Sequence, residues 1–508
     1  MIRRLLIANR GEIARRIIRT CRIIGVESVA VYSEADRDAP FVYEADEAVA
    51  IGPPPATESY LSIDTIIAAA RSAGADAIHP GYGFLSERAE FVDACEAAHI
   101  TFVGPPASVM RRMGSKAIAR ATMEAAGVPV VPGAVPASQT HADIAAAVMN
   151  VGLPCLLKAA SGGGGKGMRI VRDTAEIDSA IDAAKQESQR AFGNDALYVE
   201  RLITHARHIE VQVFGDRQGH VVHVLERDCT LQRRHQKVIE EAPAPGLSDA
   251  VRTRLRAAAV TAARAIGYVN AGTVEFLLAG EGDAAEFYFL EMNMRLQVEH
   301  PVTEAITGLD LVRAQLYVAA GEALPFAQED IAARGCAIEA RVYAEDPRRL
   351  LPQAGRLLRY REPHGNGVRI DSGVVEGQHV TVHYDPLLAK VIALAPTRTS
   401  ARDRLLSALR EFEILGLRHN LAFLAALLAR PELDDLRVHT RFIEEHLEQL
   451  LPPPSARTRR AAAAIAAFVA SRGERVAPAV QPGSLNQDAA VDPRPAWDPW
   501  AALGPVSW

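Results

Sequence analysis

A run of alternating polar and apolar residues between positions 291 and 299 is the part of this sequence best suited to chemistry. Its even positions are apolar, and its odd positions hold two carboxylates, two carboxamides and a guanidinium: Glu291, Asn293, Arg295, Gln297 and Glu299. In an extended chain these polar side chains would share one face, because successive residues of a strand point to opposite sides. Such a face could be merely solvated, or it could form a site if a further carboxylate reached it.

That further carboxylate is Glu275, which lies alone in the apolar, strand-like segment 270–278. The glycine-containing linker 279–284 predicts a hairpin that returns the chain to the polar run. Folding of the hairpin would bring Glu275 close to Glu291 and Asn293. Hard oxygen ligands of this kind suit Mg²⁺, which binds a few carboxylates together with nucleotide phosphates. We therefore predict a metal site on this hairpin.

A glycine-rich loop at residues 161–167 lies between two strand-like segments. Because it is so rich in glycine, its backbone N–H groups can approach phosphate oxygens closely. Lys158 and Lys166 flank the glycines. The spacing differs from that of a Walker A loop, so the segment is either a flexible linker or a lid over phosphates. The strands on both sides favour the lid.

Two further segments could bind ligands. The sequence RRHQK at residues 233–237 is dense in donors for anions, although a solvated basic turn has the same composition. The loop 79–87 follows a short strand, at the position where open α/β sheets bind ligands. A tight turn before a helix would explain that loop equally well.

Lysine is scarce in this chain, which has six lysines among 56 basic residues. Arginine supplies the remaining positive charge, so a retained lysine indicates a position that needs a compact ammonium group. Four lysines fall within motifs that could bind ligands: Lys116, Lys158, Lys166 and Lys237. The other two are Lys185 and Lys390.

Length and composition exclude several classes of protein. The chain has 508 residues, enough for about three domains. Its net charge of -6 argues against a nucleic-acid binder, and no apolar run is long enough for a membrane span or a secretory signal. The five cysteines are scattered, without a CxxC pair, as expected for free thiols in a reducing compartment. We predict a cytoplasmic enzyme that binds neither nucleic acid nor membrane.

Residues 1 to about 447 resemble biotin carboxylase, a member of the ATP-grasp superfamily. The resemblance is carried by blocks in the same order along the chain: IANRGEI at 7–13, HPGYGFLSE at 79–87, GGKGM at 164–168, ERDCTLQRRHQK at 226–237, EEAPAP at 240–245, residues 291–303 and AEDP at 344–347. It implies an α/β fold with an N-terminal Rossmann-like βαβ domain (1–114), a central ATP-grasp domain (115–330) and a C-terminal mixed α+β domain (331–449). A mobile lid is expected at about 132–203, and residues 450–508 are expected to form a linker and a partial bridging or docking tail. Within the central domain, the residues from Thr303 to Ala320 are expected to be helical.

The resemblance also implies roles for individual residues. ATP is expected to contact Lys116, Lys158, Gly164, Gly165, Lys166, Glu200, Arg201, Leu202, Ile203, His208, Gln232, His235, Glu275 and Glu291. Mg²⁺ or Mn²⁺ is expected on Glu275, Glu291 and Asn293. Bicarbonate is expected beside Lys237, Arg295, Gln297 and the backbone of Val298, and biotin beside Tyr82 and Arg341. The implied catalytic residues are Arg295, Lys237, Glu299 as the general base, and Arg341 as the group that steadies the biotin enolate.

The implied function is carboxylation of biotin with ATP and bicarbonate, through carboxyphosphate, as the first half-reaction of an acyl-CoA carboxylase. No lysine follows Lys390, so the sequence lacks the Met-Lys-Met motif that would attach biotin. Biotin is therefore expected on a separate carrier protein or domain, unless the chain is a fragment of a longer α subunit. A carboxyltransferase subunit and a homo- or hetero-oligomeric complex are also expected.

Three alternatives remain. One is another ATP-grasp ligase, which would have no use for Arg341 or for the run from Arg295 to Glu299. Another is the biotin carboxylase part of a pyruvate or urea carboxylase. The last is a non-catalytic scaffold that recruits partners through the tryptophan-containing tail.

Overall fold

A five-stranded parallel sheet forms the N-terminal part of the protein. The structure is a computed structural model that describes residues 2–160, 167–234, 236–349, 351–451 and 456–471. The strand order is β3-β2-β1-β4-β5, and the strands pair in parallel, as the predicted βαβ pattern requires. The elements are β1 (Arg4–Ile7), α1 (Gly11–Ile24), β2 (Glu27–Tyr32), α2 (Pro40–Glu44), β3 (Glu47–Ala50), α3 (Ile63–Ser72), β4 (Ala77–His79), α4 (Ala89–Ala97), β5 (Thr101–Phe102) and α5 (Ala107–Gly114).

The loop after β4 is held against the end of β1. Asn9 follows β1, and its side-chain amide donates hydrogen bonds to the carbonyl oxygens of Pro80 (2.7 Å) and Tyr82 (2.8 Å). Gly81 adopts a φ of +63°, and a Cβ there would lie 2.8 Å from the Asn9 amide nitrogen. Only glycine fits this close approach without strain. The loop that carries Tyr82 therefore has a fixed position at the carboxyl edge of the sheet.

A four-stranded antiparallel sheet, in the order β6-β9-β7-β8, forms the next part of the chain. It corresponds to the predicted lid segment. Its apolar side packs on two helices around a small core that includes Ile144, Leu157, Ile181 and Val199. The elements are α6 (Lys116–Ala125), β6 (Gly133–Ala134), α7 (His141–Val151), β7 (Cys155–Ala159), β8 (Arg169–Val171), α8 (Ile177–Phe192) and β9 (Leu197–Arg201).

A large eight-stranded sheet joins the centre of the chain to its C-terminal part. The strand order is β14-β13-β10-β11-β12-β15-β22-β20. The central elements are β10 (Arg207–Gly215), β11 (Val221–Arg233), β12 (Gln236–Ala242), α9 (Asp249–Ala265), β13 (Asn270–Ala279), β14 (Glu286–Asn293), α10 (His300–Thr307) and α11 (Leu311–Ala319). The predicted hairpin between β13 and β14 is present.

The stretch from Thr303 to Ala320, predicted to be helical, is helical except for a short break. Two helices occupy this stretch, because Gly308 adopts a left-handed φ of +74° and ends α10. Asp310 then caps α11 by accepting a hydrogen bond from the backbone N–H of Arg313. A glycine C-cap followed by an aspartate N-cap separates the helices by a short turn.

The C-terminal part contributes β15, β22 and β20 to the large sheet and adds smaller strand pairs and helices. Its elements are β15 (Cys336–Tyr343), β16 (Glu345–Asp346), β17 (Leu351–Pro352), β18 (Gly355–Arg356), β19 (Arg359–Arg361), β20 (Val368–Ser372), β21 (His379–Val380), β22 (Leu387–Ala395), α12 (Arg398–Glu411), β23 (Glu413–Leu415), α13 (Leu421–Leu428), α14 (Pro431–Asp434) and α15 (Phe442–Leu450). Met1–Leu450 form one compact unit, and α16 (Ala456–Ser471) belongs to a second unit, Leu451–Trp508. Among the described helices, none is both long and apolar enough to cross a bilayer.

Candidate active site

The hairpin of β13 and β14 brings the predicted metal ligands together. Glu275 and Glu291 are directly opposite each other in the strand register, and Asn293 lies opposite Thr273. The Asn293 amide donates a hydrogen bond of 2.8 Å to Glu275 Oε1. Glu275 is buried, whereas Glu291 is exposed at the mouth of the site. Their oxygen donors fit a hard divalent cation such as Mg²⁺, which takes carboxylates together with water and phosphate oxygens.

The neighbouring strand β10 adds a third carboxylate. Glu210 is the register partner of Glu275, so the two side chains lie on the same face of the sheet. His208, two residues earlier, has its Nε2 atom 3.1 Å from Glu275 Oε2. The strong negative charge of this face calls for a cation.

Lys237 at the start of β12 is that cation. Its Nζ atom lies 2.5 Å from Glu210 Oε2, 2.7 Å from Glu275 Oε1 and 2.7 Å from Glu299 Oε1. Burial alone would lower the pKa of Lys237, but these carboxylates outweigh it and raise that pKa well above its ordinary value. The ammonium group is therefore charged at neutral pH and fills the centre of the site.

The chain leaves the strand after Asn293, and residues 294–299 form a loop. The extended pattern predicted from the alternation therefore ends at Asn293. In the loop, the Arg295 guanidinium donates to Asn293 Oδ1 (2.9 Å) and Gln297 Oε1 (3.2 Å). Its Nε atom lies 3.3 Å from Glu87 Oε2. Gln297 in turn donates to Glu275 Oε1 at 3.3 Å. The predicted anion residues thus adjoin the predicted metal residues.

Glu299 and Arg341 form the other end of the site. Glu299 directly precedes α10 and is completely buried, and its Oε2 atom accepts a hydrogen bond of 2.9 Å from Arg341. Arg341 also forms an ion pair with Glu240 on β12. Burial would raise the pKa of Glu299, but Lys237 and Arg341 hold it well below its usual value.

The predicted ATP residues fall in three places. Lys158 on β7 forms an ion pair with Glu200 on β9, and Arg201, Leu202 and Ile203 follow Glu200 directly in the chain. Lys116 is at the start of α6, where burial lowers the pKa of its ammonium group and the nearby Glu291 carboxylate opposes that shift only in part. Gln232 is buried on β11, opposite Lys237 in the register. The predicted contacts Gly164, Gly165, Lys166 and His235 lie outside the described residues.

Tyr82, predicted to lie near biotin, donates its hydroxyl hydrogen to Glu12 at the start of α1. Val298, predicted to bind through its backbone, accepts a hydrogen bond of 2.9 Å from Lys390 to its carbonyl oxygen. Both contacts are made to residues for which the sequence predicted no role.

Three further charged residues of the site were given no role by the sequence-based prediction: Glu210, Arg227 and Glu240. Arg227 is completely buried; it pairs with Glu210 and donates to Gln212 (2.9 Å), Thr303 (3.0 Å) and Thr273 (3.0 Å). The local pattern gives little signal, because Glu210 lies between His208 and Gln212 on the polar face of a regularly alternating strand. Its importance depends on the register with Glu275, which no local pattern specifies.

Comparison with known proteins identifies the family. Three family models match successive parts of the chain: the biotin carboxylase N-terminal domain at residues 1–110, the ATP-binding domain of the carbamoyl-phosphate synthase L chain at 115–327, and the biotin carboxylase C-terminal domain at 339–445. Biotin carboxylase 2 of Bacillus subtilis is 50% identical over 450 residues, covering 88% of this chain and 100% of that protein. The chain belongs to the biotin carboxylase family. The resemblance noted in the motifs is thus confirmed, as is the prediction of an ATP-dependent ligase.

A longer relative and a solved structure are also similar to this biotin carboxylase family member. The mitochondrial methylcrotonoyl-CoA carboxylase subunit alpha of Mus musculus is 51% identical over 456 residues, which make up 89% of this chain but 63% of that protein. The chain therefore spans less than two thirds of that relative. The biotin carboxylase domain dimer of Hydrogenobacter thermophilus 2-oxoglutarate carboxylase, in complex with MgADP, ADP and bicarbonate, has a TM-score of 0.84 and 42% identity, covering 89% of this chain and 100% of that one. The predicted α/β fold is confirmed.

Proposed function

We propose that this protein carboxylates biotin with ATP and bicarbonate, as the first half-reaction of an acyl-CoA carboxylase. The observation that carries the proposal is the cluster in which Lys237 contacts Glu275 of the acidic hairpin and Glu299 of the loop. It joins a set of oxygen ligands suited to a metal nucleotide to a basic loop suited to a small anion. The similarity to a methylcrotonoyl-CoA carboxylase subunit favours an acyl-CoA carboxylase over the other carboxylase types.

Glu275, Glu291 and Asn293 are proposed to hold Mg²⁺ or Mn²⁺. The metal would neutralise charge on the phosphate oxygens of ATP, as divalent cations do in phosphoryl transfer. Lys116 and Lys158, together with Lys166, Gly164 and Gly165, are proposed to contact the phosphates. The proposed ATP site is completed by His208, Gln232, His235 and the segment from Glu200 to Ile203.

Bicarbonate is proposed to bind between Lys237, Arg295, Gln297 and the backbone of Val298. It is a weak nucleophile and must lose a proton as it attacks the γ-phosphate. Glu299 is the proposed general base, because it lies beside Lys237, within reach of an anion bound there. An anion that shared Lys237 and Arg341 would weaken the charges that now depress the pKa of Glu299. Its proton affinity would then rise at the step that needs it.

Biotin is proposed to enter on the side of Tyr82 and Arg341. The carboxyphosphate formed from bicarbonate and ATP would break down to CO₂ and phosphate, and phosphate could take the proton from the biotin ureido nitrogen. Arg341 would stabilise the oxyanion of the enolate, and removing one such donor typically lowers kcat by about 10²-fold or more. Arg341 is buried beside Glu299, so both half-steps would share one enclosed site.

The proposed partners are a biotin carrier, supplied by another chain or by a domain outside this sequence, and a carboxyltransferase subunit. An oligomeric complex is proposed with them. We propose a cytoplasmic location; the relatives named above include a mitochondrial one, so the compartment can differ within the family.

The proposal is tested by measuring ATP hydrolysis and biotin carboxylation with Mg²⁺, in the presence and absence of bicarbonate and free biotin. Turnover should require bicarbonate and rise with biotin. An ATP-grasp ligase with another acceptor would turn over ATP independently of both, and a non-catalytic scaffold would not turn over ATP at all; either result would contradict the proposal.

Arg341→Ala should abolish biotin carboxylation while leaving ATP binding unchanged, because the guanidinium lies on the Glu299 side of the site and is not among the proposed ATP contacts. Arg361→Ala, at an exposed position on β19, serves as the matched control and should behave like the wild type. Nucleotide binding by calorimetry and carboxylation by incorporation of labelled bicarbonate separate the two effects. Carboxylation at the wild-type rate in Arg341→Ala would refute the assigned role.

A further inference from the structure

Lys390 is completely buried on β22, directly opposite Arg341 of β15 in the sheet register. Burying an ammonium group is costly unless it is paired and hydrogen-bonded. Lysine is also scarce in this chain, which uses arginine for most of its positive charge. The retention of a lysine here indicates that a compact cation is required at this point of the interior.

Three partners compensate this charge, and Asp371 Oδ2, at 4.0 Å, is the most distant of them. Lys390 Nζ donates a hydrogen bond of 2.9 Å to the carbonyl oxygen of Val298, and it lies 3.0 Å from Glu12 Oε1. The same Glu12 oxygen accepts the hydrogen bond from the Tyr82 hydroxyl. A continuous chain of contacts therefore runs from Val298 through Lys390 and Glu12 to Tyr82.

Val298, at one end of this series of contacts, lies in the loop that carries Glu299. Residues 294–299 belong to neither a helix nor a strand, so no sheet or helix ladder fixes their backbone. The Val298 carbonyl belongs to the peptide group that leads directly into Glu299. A hydrogen bond from a charged donor is stronger than one from a neutral donor. The contact from Lys390 therefore holds the peptide group next to Glu299, whose side chain is held in turn by Lys237 and Arg341.

The Tyr82 end lies on a different part of the fold. Tyr82 belongs to the loop after β4, and Glu12 lies in the first turn of α1. Glu12 is buried, and its other carboxylate oxygen, Oε2, has no hydrogen-bond partner among the described residues. The ion pair with Lys390 is thus its principal charge compensation, and it holds Glu12 where it can accept the Tyr82 hydroxyl.

We propose that Lys390 is a positioning residue that links the bicarbonate and biotin sides of the site. It would hold the Val298 carbonyl directly and the Tyr82 hydroxyl through Glu12. The inference rests on the proposed function. It adds a residue from β22 that touches neither substrate and yet sets the geometry for both.

Lys390→Met removes the charge and its contacts while keeping a side chain of similar length. The KM values for bicarbonate and for biotin should both rise by about tenfold, the loss expected for a hydrogen bond from a charged group. The KM for ATP should not change, because the proposed ATP contacts do not include Val298 or Tyr82. Lys185→Met is the matched control: Lys185 lies on α8 and contacts Asp195 and the Gln139 carbonyl, so all three KM values should remain at wild-type level.

Glu12→Gln tests the chain of contacts in a second way, with an isosteric change. It removes the ion pair on the Tyr82 side but leaves Lys390 on the Val298 carbonyl. The biotin KM should therefore rise, whereas the bicarbonate KM should stay unchanged. Lys390→Gln keeps a donor that can point towards Val298 and should restore part of the bicarbonate affinity lost in Lys390→Met.

The outcomes are distinguishable. Equal effects on all three KM values, or a fall in kcat with unchanged KM values for bicarbonate and biotin, would overturn the positioning role. If circular dichroism shows that Lys390→Met is unfolded, Glu12→Gln and Lys390→Gln decide the question, and a wild-type biotin KM in Glu12→Gln would overturn the inference. A wild-type protein that does not carboxylate biotin would instead refute the proposed function.

Discussion

The charge state of each residue in this site depends on a dense cluster of buried charges. Lys237 compensates three carboxylates at once, and Arg341 shares Glu299 with it. Burial of an isolated charge costs roughly several kcal/mol of folding free energy. Lys237 and Arg341 each offset this cost by contacting more than one carboxylate. The arrangement keeps Glu299 ionised and aimed at the place where an anion would bind. A small change in the charge of the site would therefore change the proton affinity of Glu299.

One carboxyl group of the interior lacks this compensation. Glu339 on β15 is buried and has no hydrogen-bond partner among the described residues for either oxygen. Burial raises the pKa of Glu339 well above its ordinary value, and burial likewise raises the pKa of Glu240, its register partner on β12, to about 7. The native protein therefore binds protons here that the unfolded chain would already have released. The stability that these groups contribute is present below their unfolded pKa and is lost as the pH rises through their folded pKa values.

Glu339→Gln should remove part of this pH dependence. The neutral amide resembles the protonated acid, so the variant should match the wild type at about pH 4.3, the unfolded pKa of a glutamate, and exceed it at about pH 8.5 by about 1–3 kcal/mol, the cost of a buried unsatisfied polar group. Thermal unfolding at the two pH values measures the difference. Glu322→Gln, at an exposed position, is the control and should leave the pH dependence unchanged. A variant whose stability falls with pH as steeply as that of the wild type would contradict the assignment.

At the scale of elements, the sequence predicts local features such as the hairpin, but it does not predict side-chain contacts that depend on strand register. The hairpin of β13 and β14 was predictable, because Glu275 interrupts an apolar strand and a short linker precedes the polar run. Glu210 and Lys390 were not, since each looks like one polar residue in an ordinary strand. Their partners are far away in sequence: Lys390 contacts Glu12 across more than half of the chain. The break at Gly308 was missed because helical periodicity continues on both sides of it.

The hairpin of β13 and β14 requires close contact between Gly272 and the Tyr268 ring. A Cβ on Gly272 of β13 would lie 2.5 Å from the Tyr268 hydroxyl oxygen, and this buried ring is fixed by its hydrogen bond to the Ala271 carbonyl. Gly272→Ala should therefore destabilise the protein by about 1–3 kcal/mol, the range for overpacking. It should also weaken Mg²⁺-dependent ATP turnover, because Glu275 lies three residues further along the same strand. Gly114→Ala is the control, since a Cβ at Gly114 has no atom within 4 Å. Unfolding temperatures equal in the two variants would contradict this account.

At the scale of the whole molecule, the eight-stranded sheet explains why distant parts of the sequence meet at one site. Strands β12 and β15 are adjacent and antiparallel, so the sheet crosses the domain boundary that we propose near residue 330. Arg341 and Lys390 come from the C-terminal part, whereas Glu12 on α1 and Tyr82 on the loop after β4 come from the N-terminal part. The site therefore requires the whole compact unit. None of the proposed domains contains it alone.

Two truncations test this conclusion. A chain ending at Leu450 keeps the complete first unit, Met1–Leu450, with every residue of the proposed site, and should carboxylate free biotin at close to the rate of the full chain. A chain ending at Arg334 loses β15, β22 and β20, and with them Arg341 and Lys390. It also leaves β12 as an exposed sheet edge, which favours aggregation. It should therefore be inactive and elute as aggregates in size-exclusion chromatography. Carboxylation by the shorter chain would show that the site does not need the C-terminal strands, and loss of activity in the longer one would show that residues beyond Leu450 contribute to the reaction.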